Sequence, residues 1–379
     1  MDLNNTKENM LQDLPLSSSG SKKPKANNNN NNTLIDTLGR DLTVQSLAHC
    51  PRYTYGCVAT LNRSFRELVR GGDLYKERRR LDVVENWVHF SCNQKCSWEG
   101  FDPISRKWIP MPPLITNDPC FDFSDKESIA VGTQLLVLGN DMLGPGIYQC
   151  SIQTNSWLAG RPMNVPRCLF GSASVKTKAF FAGGVDRAGR IVDTVESYDS
   201  ETGNWTTLPS LLKPRKMSSG VYMDGKFYVI GGAGGGAQEY KKALTCGEEY
   251  NFDAKTWTEI PNMSPGGGTG SMAPPLLAVV ENELYAADYE AMELKLYKKK
   301  SNEWVTIGRL PDRIDHTEGW GIAFRGCGER LIILGGPRRD GDTHLEIYSW
   351  LPSKGPPEWT LLGRKRTGGF VYNCTIMGC

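Results

Sequence analysis

Histidine is scarce in this chain: His49, His89, His316 and His344 are all it has in 379 residues, and no two lie close in sequence. A copper centre needs several His ligands with a Tyr–Cys pair, so this count argues against one. Cys92 and Cys96 have a ligand-like spacing but no second pair nearby, which favours buried thiols over zinc. An excess of charge is also missing, with 44 Lys and Arg against 42 Asp and Glu, so there is no global pull toward nucleic acid or an acidic membrane. No apolar run approaches the roughly 20 residues of a membrane helix. The opening Met1-Asp2-Leu3-Asn4-Asn5 has no apolar core and does not read as a secretory signal. The chain therefore reads as soluble and intracellular. Its eleven Cys, odd in number and scattered, read as reduced thiols.

A phosphate-cradling loop is missing too, because Gly234, Gly235 and Gly236 have no Lys-Ser/Thr after them and no ensuing helix. The stretch from Ser197 to Trp205 has Asp199, Gly203 and Trp205 at the wrong spacing for a sialidase Asp-box. Nothing looks catalytic, and neither a metal nor a cofactor is expected.

Residues 1–33 are polar and carry six consecutive Asn, Asn27 to Asn32. Such a composition cannot bury enough apolar surface to offset the entropy of ordering, so this stretch reads as a disordered tail. Within it, Lys22-Lys23-Pro24-Lys25 is either a nuclear import signal or a solubilising cluster. Location in the nucleus, the cytoplasm or both is open.

What the sequence does have is a repeat. Trp108, Trp157, Trp205, Trp257, Trp304 and Trp359 follow one another at intervals of 49, 48, 52, 47 and 55 residues. A Tyr-containing phrase precedes the middle ones, such as Val195-Glu196-Ser197-Tyr198-Asp199 before Trp205. Further upstream lies an apolar run closing on small residues, as in Phe227-Tyr228-Val229-Ile230-Gly231-Gly232. Asp224-Gly225 supplies a hairpin turn before that run. Each unit thus reads as four short strands. The continuous apolar runs suit strands buried on both faces, and the Trp fills space between neighbouring sheets.

A period near 50 with this Gly-Gly, Tyr and Trp order resembles the kelch repeat, whose units form propeller blades. The resemblance spans about residues 84–379 and implies a six-bladed kelch β-propeller. The first unit has no inner strand, whereas Phe370 to Met377 form an inner strand left over. Pairing the two closes the ring and removes two unpaired edges.

Residues 34–80 have a different texture. Leu34, Ile35, Leu38, Leu42, Val44, Leu47 and Ala48 fall at helix-compatible spacings, and Val58, Leu61, Phe65, Leu68 and Val69 form a second run ending at Gly71-Gly72. A helical module this small needs a partner for stability. Placed directly before kelch blades, it resembles an F-box, and residues 34–379 are similar to the plant F-box/kelch-repeat proteins. Leu61-Asn62-Arg63-Ser64-Phe65-Arg66, the stretch from Pro166 to Ser174, and the terminal Phe370 to Cys379 carry that resemblance. Two departures stand out: Leu38-Gly39 replaces the usual Leu-Pro, and Phe65 replaces the usual Trp of the last helix.

The resemblance implies a non-catalytic receptor subunit of an SCF-type cullin–RING ubiquitin ligase. Its F-box module would dock on the Skp adaptor through Leu38, Leu42, Leu47, Leu61 and Phe65, and its propeller would bind a target protein. A kelch scaffold without ligase function, its helices a structural cap, is the alternative. Arg167 and Arg215 each precede the second Gly of a Gly-Gly pair by 17 residues, in the loops that open on one rim of the channel. Lys365, flanked by Arg364 and Arg366, aligns with the same slot, and Lys216 and Arg313 lie in comparable loops. In animal kelch adaptors an Arg at this slot pairs with carboxylates, which implies an acidic or phosphorylated segment as ligand. The other reading is solvated loop charge.

Overall fold

The structure is a computed structural model. The structure describes residues 34–35, 38–92, 98–114, 127–141, 144–234, 242–266, 273–312, 319–336, 344–366 and 368–379. The Asn-rich segment 1–33 lies outside them.

Six four-stranded antiparallel sheets form the ring. Blades 2 to 6 begin with inner strands Glu127–Val131, Gly171–Val175, Ser219–Met223, Leu277–Val280 and Ala323–Cys327. Each steps outward to a fourth strand, such as Asn204–Leu208 in blade 3 and Thr360–Arg366 in blade 6. Blade 1 joins the two ends of the ring. Its inner strand is Val371–Gly378, and Asn86–Cys92, Trp98–Asp102 and Lys107–Pro110 complete it. The register runs from Asn86 opposite Gly378 to Cys92 opposite Val371.

The recurring sequence phrases have distinct jobs. The Tyr and Trp of one unit are cross-strand partners: Tyr198 lies opposite Trp205, Tyr250 opposite Trp257 and Tyr297 opposite Trp304. Their rings meet at 5.0, 5.0 and 5.2 Å, a contact worth about 0.5–1.5 kcal/mol beyond burial. Each indole N–H then donates to a backbone carbonyl of the preceding connection. Trp157 reaches Pro112 O, Trp205 reaches Arg161 O, Trp257 reaches Pro209 O, Trp304 reaches Met263 O and Trp359 reaches Arg309 O, all at 2.8–3.0 Å. The Trp therefore packs between sheets and pins a loop in one stroke.

Apolar runs fill the seams between blades. Val131, Leu136, Phe181 and Tyr198 pack together from blades 2 and 3, while Phe180, Val195, Phe227 and Tyr250 do so from blades 3 and 4. Near the axis the backbones approach so closely that a Cβ on Gly220 would lie 2.6 Å from the Ser172 main chain.

Four helices precede the ring: α1 (Gly39–Ala48), α2 (Tyr55–Leu61), α3 (Arg63–Arg70) and α4 (Asp73–Arg80). Asn62 caps α3, its side-chain oxygen accepting from Phe65 N at 3.0 Å. Tyr55, Leu68, Leu74 and Tyr75 of the module share one core with Trp98, Trp157, Met377 and Cys379 of the propeller. None of the helices is long and apolar enough to cross a membrane.

Candidate functional site

A propeller has two unlike ends. At the connection end, an outer strand leads to the next inner strand, and the loops between second and third strands lie beside it. At the hairpin end lie the tight turns within each blade. The helical module sits at the hairpin end. Arg79 pairs with Glu201 in the outer turn of blade 3, Lys107 Nζ lies 3.6 Å from the Tyr53 ring centroid, and Glu85 N donates to Cys379 O at 3.0 Å.

One buried guanidinium fixes this join. Arg78 donates to Ala48 O at 2.9 Å and Cys50 O at 3.0 Å, satisfying carbonyls at the C-terminal end of α1. It also reaches Tyr55 OH and, at 2.9 Å, Glu85. Glu85 in turn accepts from Arg52 N, and the Arg52 guanidinium stacks 4.1 Å above the Trp87 ring centroid. Module, linker, second strand of blade 1 and chain terminus are thereby tied together.

The five module residues expected to face an adaptor divide into two groups. Leu38, Leu42 and Leu61 are exposed, the last two at 54% and 67%. Leu38 and Leu42 are one helical turn apart and so share a face. Phe65 is buried, and Leu47 is half-buried against the shared core, so both hold the module together from inside.

Among the described residues, the cationic rim expected from the sequence does not assemble. Arg167 and Arg215 do stand at the connection end, but their side chains are wholly buried and ion-paired, with Glu196 and Glu248 respectively. Arg167 also donates to Gly183 O at 2.9 Å, Phe181 O at 3.0 Å and Val165 O at 2.8 Å. Arg215 donates to Gly231 O and Cys246 O. Burial lowers the Arg167 pKa from its ordinary value, and the Glu196 charge works against that. Each Glu accepts main-chain N–H groups as well, from Asn164 in one blade and from Leu212 and Lys213 in the next. These pairs staple the connecting loop into its own blade. The Gly-Gly pair exists for the same packing: Gly183 and Gly184 have φ of 70° and 104°, and a Cβ on Gly183 would lie 2.3 Å from Arg215 O.

Lys365, Arg364 and Arg366 lie on the outermost strand of blade 6, away from the channel. Lys365 bonds Glu99 at 2.5 Å and Arg364 pairs with Glu346 at 3.3 Å, while Arg366 is exposed. Lys216 is half-buried at the connection end, where its main chain bridges Ala233. Arg313 lies outside the described residues. The signal for buried pairing was present in the sequence, because Glu196 and Glu248 each stand two residues before the repeated Tyr.

The axial channel holds about 540 Å³. Among the described residues its charged lining is Glu127, Lys176 and Arg325, amid Ser172, Ser219, Tyr222 and Tyr372. Arg325, on the inner strand of blade 6, was not singled out by sequence reasoning. His89 is buried in blade 1, and its ring stays neutral because burial presses its pKa down to about 3. No group of three or more His, Cys, Asp or Glu among the described residues is placed to hold a metal ion.

Fold and site define a kelch-type propeller that carries a small helical module on one end. The Kelch motif family matches residues 166–212 and 214–264. The F-box/kelch-repeat protein SKIP11 of Arabidopsis thaliana is 51% identical over 361 residues, covering 92% of this chain and 75% of that protein. Two further F-box/kelch-repeat proteins of the same plant are 48% and 46% identical, covering 92% and 91% of this chain and 84% and 79% of their own lengths. The solved structure of YjhT superposes with a TM-score of 0.53 at 13% identity, over 72% of this chain and 95% of that one, a likeness of fold. The chain belongs to the F-box/kelch-repeat family.

Proposed function

We propose that the chain is the substrate-recognition subunit of an SCF-type ubiquitin ligase, acting in the nucleus or cytoplasm. The helical module docks on a Skp-type adaptor, and the propeller holds the protein to be ubiquitinated. The carrying observation is the division of labour between the two ends. The module is fastened to the hairpin end by Arg78 and shows three exposed leucines, while the open channel presents Ser172, Ser219, Tyr222, Tyr372 and Arg325 among its lining. No catalytic group is needed for such a role, since the receptor only positions its target. Full-length chain used as bait in a plant extract should recover the adaptor and the cullin together. Recovery of neither would sink the reading.

A further inference from the structure

Four residues before the repeated Trp, the outer turn of blades 2 to 5 carries a polar or charged residue: Gln153, Glu201, Asp253 and Lys300. Blade 1 has Ile104 at that slot. The five turns share one frame, because the residue two before each Trp holds positive φ: Arg106, Asn155, Gly203, Lys255 and Asn302. Asp102 fixes the turn of blade 1, its carboxylate accepting from Ile104 N at 2.9 Å and from Ser105 Oγ at 2.6 Å. Ile104 is thereby held in a set place, and at 73% it is the most exposed large apolar side chain among the described residues. A lone exposed Ile is ordinary, but this one has neighbours of its kind.

Ile104 lines a cleft of about 510 Å³ at the hairpin end. Tyr53, between α1 and α2, and Val84, after α4, line it too and are 41% and 47% exposed. Pro103, Leu351 and the tight turn of blade 6 complete the wall, where Cys327 Sγ donates to Asn86 O at 3.6 Å. Of the charged lining, Glu85 is engaged by Arg78 and Asp102 by its own turn, while Glu329 is exposed to solvent. Arg330 is half-buried and makes no ion pair among the described residues.

Residues 1–33 contain a segment of matching chemistry. Four of their six large apolar residues fall in Met10-Leu11-Gln12-Asp13-Leu14-Pro15-Leu16, and none follows within 17–33. Pro15 biases Leu14 toward extended backbone, which puts Leu14 and Leu16 on one face about 7 Å apart. Eighteen residues lead from Leu16 to Leu34. They can span at most about 60 Å, several times the ~10 Å between packed sheets. Leu34 packs against the core that module and propeller share, so this tether starts at the end of the ring where the cleft lies.

We propose that segment 10–16 docks in cis on this cleft, with Leu14 and Leu16 against Ile104, Val84 and Tyr53, and with Asp13 supplying the carboxylate that Arg330 lacks. Tethering raises the effective concentration of the segment, so a contact of this modest size suffices. The walls come from the module, blade 1 and blade 6, so a seated segment braces the helices on the ring at the place where the ring closes.

The test uses the full chain with a photo-crosslinking benzoylphenylalanine in place of Ser17, just beyond the contact. Adducts within one chain should concentrate on peptides carrying Tyr53, Val84 or Ile104. Hydrogen exchange gives a second measurement on the same protein. Leu14→Asp combined with Leu16→Asp should speed exchange severalfold at residues 84–86, 102–106 and 327–330, and leave the inner strands unchanged. Ile104→Asp, at an exposed turn, should keep the melting transition and abolish the adducts. Adducts spread without preference for the cleft, or exchange indifferent to the two Leu substitutions, would overturn the proposal. Adducts joining two chains, with a mass that rises with concentration, would also overturn it and give the cleft to a second copy.

Discussion

Arg167 and Glu196 face each other with no solvent around either side chain, and Arg215 and Glu248 repeat the arrangement one blade on. Taking two charges out of water is costly, and the main-chain bonds to both partners are what make the pair tolerable. Removing one member leaves the other charged and buried. Arg167→Ala should therefore lower stability by about 3–5 kcal/mol. Replacing Arg167 and Glu196 together with Met and Leu should cost far less, because no orphaned charge remains. Chemical denaturation of the single and double variants checks this. Equal losses in both would show that the guanidinium matters only as packing volume. The same logic separates the leucines of the module. A charge at exposed Leu42 or Leu61 can stay solvated, whereas one at half-buried Leu47 would enter the core shared with the propeller.

At the scale of the blade, the Trp is the residue on which the unit turns. Trp257 packs on Tyr250 and Phe227 and donates to Pro209 O at 2.8 Å, so it serves both the seam and the connecting loop. Trp257→Phe keeps most of the packing and strands one carbonyl, and should cost about 1–3 kcal/mol. Trp257→Ala should cost about 3–5 kcal/mol. Thermal melts of the two variants distinguish the pinning role from the filling role: no difference between Phe and wild type would leave the indole N–H without a part. These elements were legible in the sequence because each is a local phrase repeated at a fixed period, and a cross-strand Tyr–Trp partnership lies only seven residues apart in Tyr198 and Trp205. The fate of the arginines was not, because it depends on Glu196, 29 residues from Arg167, and on a burial that only the closed blade creates. Arg325 was hidden for the complementary reason. An Arg inside an apolar inner strand carries no motif, and its opening onto the channel follows from how six inner strands meet.

For the whole molecule, closure and module docking are coupled at one place. The last strand, Val371–Gly378, pairs with Asn86–Cys92, and Cys379 lies buried beneath the module with its N–H donating to Glu85 O. Deleting residues 370–379 would open two sheet edges and remove part of the floor on which the helices rest. The truncated chain should aggregate or lose its single cooperative transition, as read by light scattering and calorimetry. A monomeric protein that melts like the intact chain would contradict that coupling.

The central claim, that this chain is a ligase receptor whose helical module takes the adaptor, is tested most directly by size-exclusion chromatography of the full chain with purified Skp-type adaptor at micromolar concentration. The two should co-elute as a one-to-one complex. Leu42→Asp combined with Leu61→Asp should abolish it by placing charge in an apolar contact, while leaving the melting transition unchanged. Separate elution of the wild-type chain and the adaptor, or a complex indifferent to both substitutions, would contradict the account.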